Sequence, residues 1–178
     1  EVNGARLEDA RVDIALNDSV PEDTTTSENK WKIFADSLSV IRSNIVLHMP
    51  GDTMSVAAHF GSLIARDGDI DLGTQTYKVA SLDWANGSLQ YDQNFEPRIE
   101  GLDYNHIDLQ HVNIGVDSIY YHDPTARLVM RTVQLREKSG LQITDLTGAV
   151  AMENGKIRLP SFHLKTPDSD IAMELDES

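Results

Sequence analysis

"VNIGVDSIYYHD", residues 112–123, decides how the chain reads. Val112, Ile114 and Val116 alternate with Asn113, Gly115 and Asp117, the period-two signature of a strand with one apolar and one wet face. Asp117, Ser118, two tyrosines, His122 and Asp123 then crowd together like a catalytic cluster. Turn chemistry explains the same residues. Asp117-Ser118 suits a tight turn, Ile119 and Tyr121 form the inward side of the next strand, and Pro124 closes the following bend.

The pattern recurs in "LSVIRSNIVL" (38–47), "LDWANGSLQY" (82–91) and "VAMENGKIRL" (150–159). Large apolar residues occupy the first, third, eighth and tenth places of each copy. They are Leu38, Val40, Ile45 and Leu47; Leu82, Trp84, Leu89 and Tyr91; Val112, Ile114, Ile119 and Tyr121; Val150, Met152, Ile157 and Leu159. Ser43-Asn44, Asn86-Gly87, Asp117-Ser118 and Asn154-Gly155 sit between them. The expected unit is a hairpin: two short strands, a tight turn, and one apolar face continuing across the pair.

Outside these copies, Val12-Ile14-Leu16, Ile107-Leu109, Leu141-Ile143 and Ile171-Met173-Leu175 also alternate. Asp67-Gly68, Asp123-Pro124 and Pro167-Asp168 supply further turns. Met54–Ala65 competes as a short helix, but Met54, Val56, Ala58 and Phe60 alternate, which predicts a strand with an irregularity at Gly61. Asn17–Lys30 is acidic and threonine-rich, as expected of a flexible polar loop. The predicted fold is all-β: a mostly antiparallel meander of hairpins in an elongated curved sheet or groove, with a β-sandwich as the alternative.

Composition narrows the function classes. The 178 residues carry 29 acidic and 15 basic side chains, a net charge of −14 with no basic cluster, which argues against nucleic acid as a partner. No cysteine is present, so disulfides and thiolate chemistry are excluded. Asp67, Asp69 and Asp71 imitate the start of a calcium loop, but Leu72 stands where its glycine belongs and Lys78 where its bidentate glutamate belongs. His48, His59, His106, His111, His122 and His163 show no metal-ligand spacing, and no nucleophile or phosphate-loop motif occurs. No enzyme, cofactor or metal is expected. Trp84, Tyr91, Tyr120 and Tyr121 leave a carbohydrate-binding or adhesin-like envelope module as the alternative.

"SLDWANGSLQYD" (81–92) and "VNIGVDSIYYHD" (112–123) resemble the degenerate repeats of the AsmA-like superfamily, and within it the TamB-type translocation and assembly proteins of the gram-negative envelope. Residues 138–175, "KSGLQITDLTGAVAMENGKIRLPSFHLKTPDSDIAMEL", are similar to the Bacteroides type, and the likeness covers roughly residues 33–175. "SNIVLHMP" (43–50) departs from it, lacking the glycine and the terminal acid.

The resemblance implies a periplasmic segment of a longer protein anchored in the inner membrane outside residues 1–178. It implies an apolar β-groove that takes phospholipid acyl chains or serves envelope assembly, and an outer-membrane assembly barrel protein as partner through other parts of the chain. The residues expected to line the groove are the apolar residues of the four repeat copies. A start at Glu1 in place of methionine is likewise expected of a segment from a longer chain.

Overall fold

A computed structural model describes residues 3–16 and 31–174. They form one eleven-stranded sheet, a single 3₁₀ turn at Pro50–Asp52, and no α-helix. The strands are β1 (Ala5–Glu8), β2 (Arg11–Ala15), β3 (Lys32–His48), β4 (Met54–Asp71), β5 (Thr76–Gln93), β6 (His106–His122), β7 (Thr125–Glu137), β8 (Gln142–Ile143), β9 (Asp145–Glu153), β10 (Lys156–Lys165) and β11 (Asp170–Glu174). Their order across the sheet is β1-β3-β4-β5-β6-β7-β9-β10-β11, with β2 also beside β3 and β8 beside β7. From β3 onward all pairings are antiparallel, whereas β1 and β2 run parallel to β3. The described residues hold no second sheet, so the sandwich alternative is set aside for them. The polar stretch Asn17–Lys30 lies outside the described residues.

Three expected hairpins need correction. Residues 38–47, 82–91 and 112–121 each lie inside one continuous strand of 17 or 18 residues. The residues read as turns are kinks within those strands. Arg42 (φ 44°), Asn86 (φ 53°) and Ser118 (φ 54°) take the left-handed conformation while the chain keeps its direction. The ladder between β5 and β6 slips by one residue before Gly87 and slips back after it, which is bulge geometry. Asp67-Gly68 is also internal to β4, with Asp67 at φ 52°. Turn and bulge make the same local demand, a residue that tolerates positive φ, so asparagine, aspartate and serine signal both.

At 150–159 a true turn is present: Asn154 (φ 50°) and Gly155 (φ 73°) join β9 to β10, with Glu153 paired to Lys156. Asp123-Pro124 joins β6 to β7, and Pro167-Asp168 lies between β10 and β11.

The kinks align across the sheet. In the β3–β4 and β4–β5 registers, Arg42 falls opposite Gly61 and Gly61 opposite Asn86, and on β6 the matching kink is His111 (φ 53°). Asp9 (φ 51°), where β1 gives way to β2, continues this line through its backbone bond to Ile41. A second line runs through Asp36, Asp67, Ala80 and Ser118. The β3–β4 and β4–β5 ladders skip the pairs on these lines without shifting register, so two crease lines cross the strands.

Candidate functional site

Directly paired residues share a face of a sheet, so the register assembles the apolar face row by row. On the far side of the first crease lie Leu47–Val56–Tyr91–Ile107 and Ile45–Ala58–Leu89–Leu109. At the crease lie the pairs Ser43–Phe60 and Gly87–Val112. Between the creases lie Val40–Leu63–Trp84–Ile114–Val133 and Leu38–Ala65–Leu82–Val116–Met130. Beyond the second crease lie Ala35–Gly68–Val79–Ile119 and Ile33–Ile70–Tyr77–Tyr121–Ala126. The rows reach the edges through Ala5, Leu7, Val12 and Ile14 on one side, and Phe162–Met173 and Leu164–Ile171 on the other.

A left-handed residue breaks strict alternation, so the apolar side resumes three residues on instead of two. Direct contacts show the same three-residue step on β4 at the first crease, where Gly61 is not among the positive-φ residues. Phe60 packs on Trp84 with ring centroids 5.0 Å apart, while Trp84 pairs with Leu63. Phe60 and Leu63 therefore face the same way. The Trp84 indole also lies over Gly87, three residues along its own strand, where a Cβ would come within 2.1 Å of Nε1. Trp84 Nε1 donates to the His59 carbonyl oxygen at 3.2 Å. Val112 and Ser43 are both 0% exposed here, although the described residues hold no second sheet to cover them. Close packing of this kind encloses part of the apolar face at the first crease.

The predicted lining residues of the first three repeat copies all fall on these rows. Val150 pairs with Leu128, Met152 with Ala126 and Ile157 with Met152. Leu159 stands in the β10 irregularity between Arg158 and Ser161, outside the printed ladder. The set runs from buried (Val40, Val112) to open (Leu38, Tyr121 and Ile157, the last 70% exposed). The predicted lining set leaves out Phe60, Leu63, Val116 and Val133. Their signal was the same three-residue step, Phe60 to Leu63 on β4 and Val116 to Ile119 on β6, without a turn-like pair to mark it on β4.

The aromatic platform expected of a sugar module divides. Trp84, Tyr91 and Tyr121 lie on the apolar rows, and Tyr120 pairs with Lys78 and Arg127 on the opposite face. Tyr121 packs on Tyr77 at 6.0 Å.

The opposite face is mainly polar. Arg131 bonds Asp83 (2.5 Å) and Asp117 (2.8 Å), and Arg66 bonds Asp83 from the other side (2.9 Å). The Arg131 and Arg66 guanidinium groups hold the Asp83 carboxyl below the usual range. Lys78 reaches Asp69, and Lys32 reaches Asp71. The Lys32 ammonium and the Thr74 amide bring Asp71 down to about 2. The calcium-like triad is thus one kink residue and two ion-paired strand residues. Exposed pairs of this kind are screened by solvent and keep the outer side wet. Among the described residues no three His, Asp or Glu side chains gather to hold a metal ion.

One polar cluster is buried. Asp103 accepts from the Ile99 amide (3.0 Å), the Asn105 amide (3.1 Å) and His106 Nδ1 (2.9 Å), closing the loop between β5 and β6. The Ile99 amide, then His106 and the Asn105 amide, lower the Asp103 pKa. Nearby, burial pushes Glu137 up, but hydrogen bonds from Ser139, Asp108 and Lys138 outweigh it and leave the group below its usual value.

Because the Asp103 pKa is depressed on folding, its contribution is complete above the ordinary aspartate value of 3.8 and is lost as pH falls through the lower, folded value. Hydrogen exchange at the Ile99 and Asn105 amides is therefore expected to speed up on acidification below that range. Asp103→Asn, with one acceptor oxygen in place of two, is expected to produce the same loss at neutral pH. Unchanged protection in the variant would contradict the assignment.

No family model, curated protein or solved structure matches the chain.

Proposed function

We propose that this sheet is a hydrocarbon-binding groove, a segment of an envelope protein that carries phospholipid acyl chains or supports envelope assembly between two membranes. One observation carries the reading. From Ala5 and Val12 on one edge to Ile171 and Met173 on the other, the apolar rows hold no charged side chain except Glu137, which is tied down by amides at the strand end. Among the described residues no second sheet covers them.

An uncovered apolar surface of this extent is a binding surface. Its chemistry selects the guest. A protein interface carries about one hydrogen bond per 100–200 Å², and beyond the Tyr77, Tyr91 and Tyr121 hydroxyls and Ser43 these rows offer few side-chain donors or acceptors. A hydrocarbon needs none. Each methylene it buries contributes about 0.8 kcal/mol, without direction, so a chain held there is free to slide. The periplasmic location, the inner-membrane anchor and the barrel partner belong to the same proposal and rest on the resemblance of the repeats. The reading calls for no catalysis and no cofactor.

Photoreactive residues test it through neighbours on opposite faces. Leu89 and Ile119 are expected to crosslink to phospholipid, while Gln90 and Tyr120, one residue along the same strands, give little. Equal yields from the two sets, or none from Leu89 and Ile119, would contradict the proposal.

A further inference from the structure

We propose that, within this groove, hydrocarbon is held most tightly across the strands, in a valley along the second crease, with Gly68 and Ala65 as the residues that make room for it. The inference rests on the groove reading above.

The two creases differ in space. The first is filled. An added Cβ at Gly61 would meet Asn86 at 2.8 Å, and one at Gly87 would meet Trp84 at 2.1 Å. Phe60 stacks beside that indole, and Val112 is fully buried. The second crease is open. An added Cβ at Gly68 would meet nothing closer than the Ala35 carbonyl oxygen at 3.7 Å. Gly68 pairs with Ala35, and Ala65 with Leu38, so small side chains flank Asp67 on β4. Leu38 is 43% exposed at the valley's edge. The Trp84–Phe60 pair closes the side toward the first crease.

The occupant follows from the lining. Ala35, Leu38, Ala65, Gly68, Val79 and Leu82 present no polar side-chain atom. A protein side chain docked there would gain contact but no orientation, whereas an alkyl chain needs only contact. The crease runs across β3, β4, β5 and β6, three strand spacings or roughly 14 Å. That length holds much of an acyl chain laid crosswise to the strands.

The test fills the valley. Binding of a pyrene-labelled phospholipid is measured for the wild type, Gly68→Leu and Ala57→Leu, the last adding comparable bulk on the opposite face, where Ala57 pairs with Gln90. Displacing about two methylenes from contact weakens binding about tenfold. Gly68→Leu is expected to show that loss, and Ala57→Leu to stay within about twofold of the wild type. Gly68→Ala, which adds one methyl to open space, is expected to fall in between and separates a filled valley from a failed fold. Wild-type affinity in Gly68→Leu, or an equal loss in Ala57→Leu, would overturn the valley while leaving the groove. Absence of binding by the wild type itself would remove the groove reading and this inference with it.

Discussion

Val112→Asp is expected to destabilise the protein by about 4 kcal/mol, a large part of the roughly 5–15 kcal/mol that holds a typical domain together. Val112 is the most enclosed apolar side chain described, at 0% exposure, on the row at the first crease. Aspartate there gives up the apolar transfer of valine, worth about 1.5–3 kcal/mol. It also places a carboxyl where no donor waits, so the group takes up a proton or forces the crease open. Gln110→Asp is the matched control. Gln110 lies two residues back on the same strand, exposed on the outer face opposite Arg136. It is expected to stay within about 0.5 kcal/mol of the wild type. Urea midpoints at constant m-value read both. A small effect of Val112→Asp would mean that the apolar side is not enclosed at the crease.

Gly87→Ala is expected to cost about 2–3 kcal/mol although it adds one methyl group. The new Cβ would lie 2.1 Å from Trp84 Nε1 and 2.3 Å from Cε2, and the indole is rigid. Moving it breaks the bond to the His59 carbonyl and the packing on Phe60. The backbone is not the cause, since Gly87 is not among the positive-φ glycines. A double-mutant cycle with Trp84→Leu isolates the clash. In that background Gly87→Ala is expected to cost under about 1 kcal/mol, a coupling of the size seen for residues in contact. Equal costs in both backgrounds would place the indole elsewhere.

Much of this architecture was legible in the sequence because alternation is a direct consequence of strand geometry. The shared facing of Leu38, Val40, Ile45 and Leu47 could be read from their spacing alone, since a parity break must lie between Val40 and Ile45. What caused the break was not legible. A hairpin turn and an in-strand bulge both place a left-handed residue between two apolar pairs, and Asn86-Gly87 suits either. The strands on each side settle it, because partners such as β4 carry their own break at the same height, and that alignment exists only in the folded register. Asn154-Gly155 looks the same in sequence and is a true turn. Gly61 drew attention as an irregularity, but neither its place on the crease line nor the packing of Phe60 on Trp84 could be read from β4 alone.

The central claim is that every long strand switches parity at the creases and so keeps one apolar side. The chain has no cysteine, so single cysteines placed one at a time from Leu38 to Leu47 each carry an environment-sensitive fluorophore cleanly. Quenching by a phospholipid with brominated acyl chains reports which positions face the hydrocarbon. Quenching is expected at 38, 45 and 47, a change of parity across Arg42, with the enclosed positions Val40 and Ser43 left unlabelled. An unbroken pattern at 38, 42, 44 and 46 would contradict the creased sheet and the single apolar face built on it.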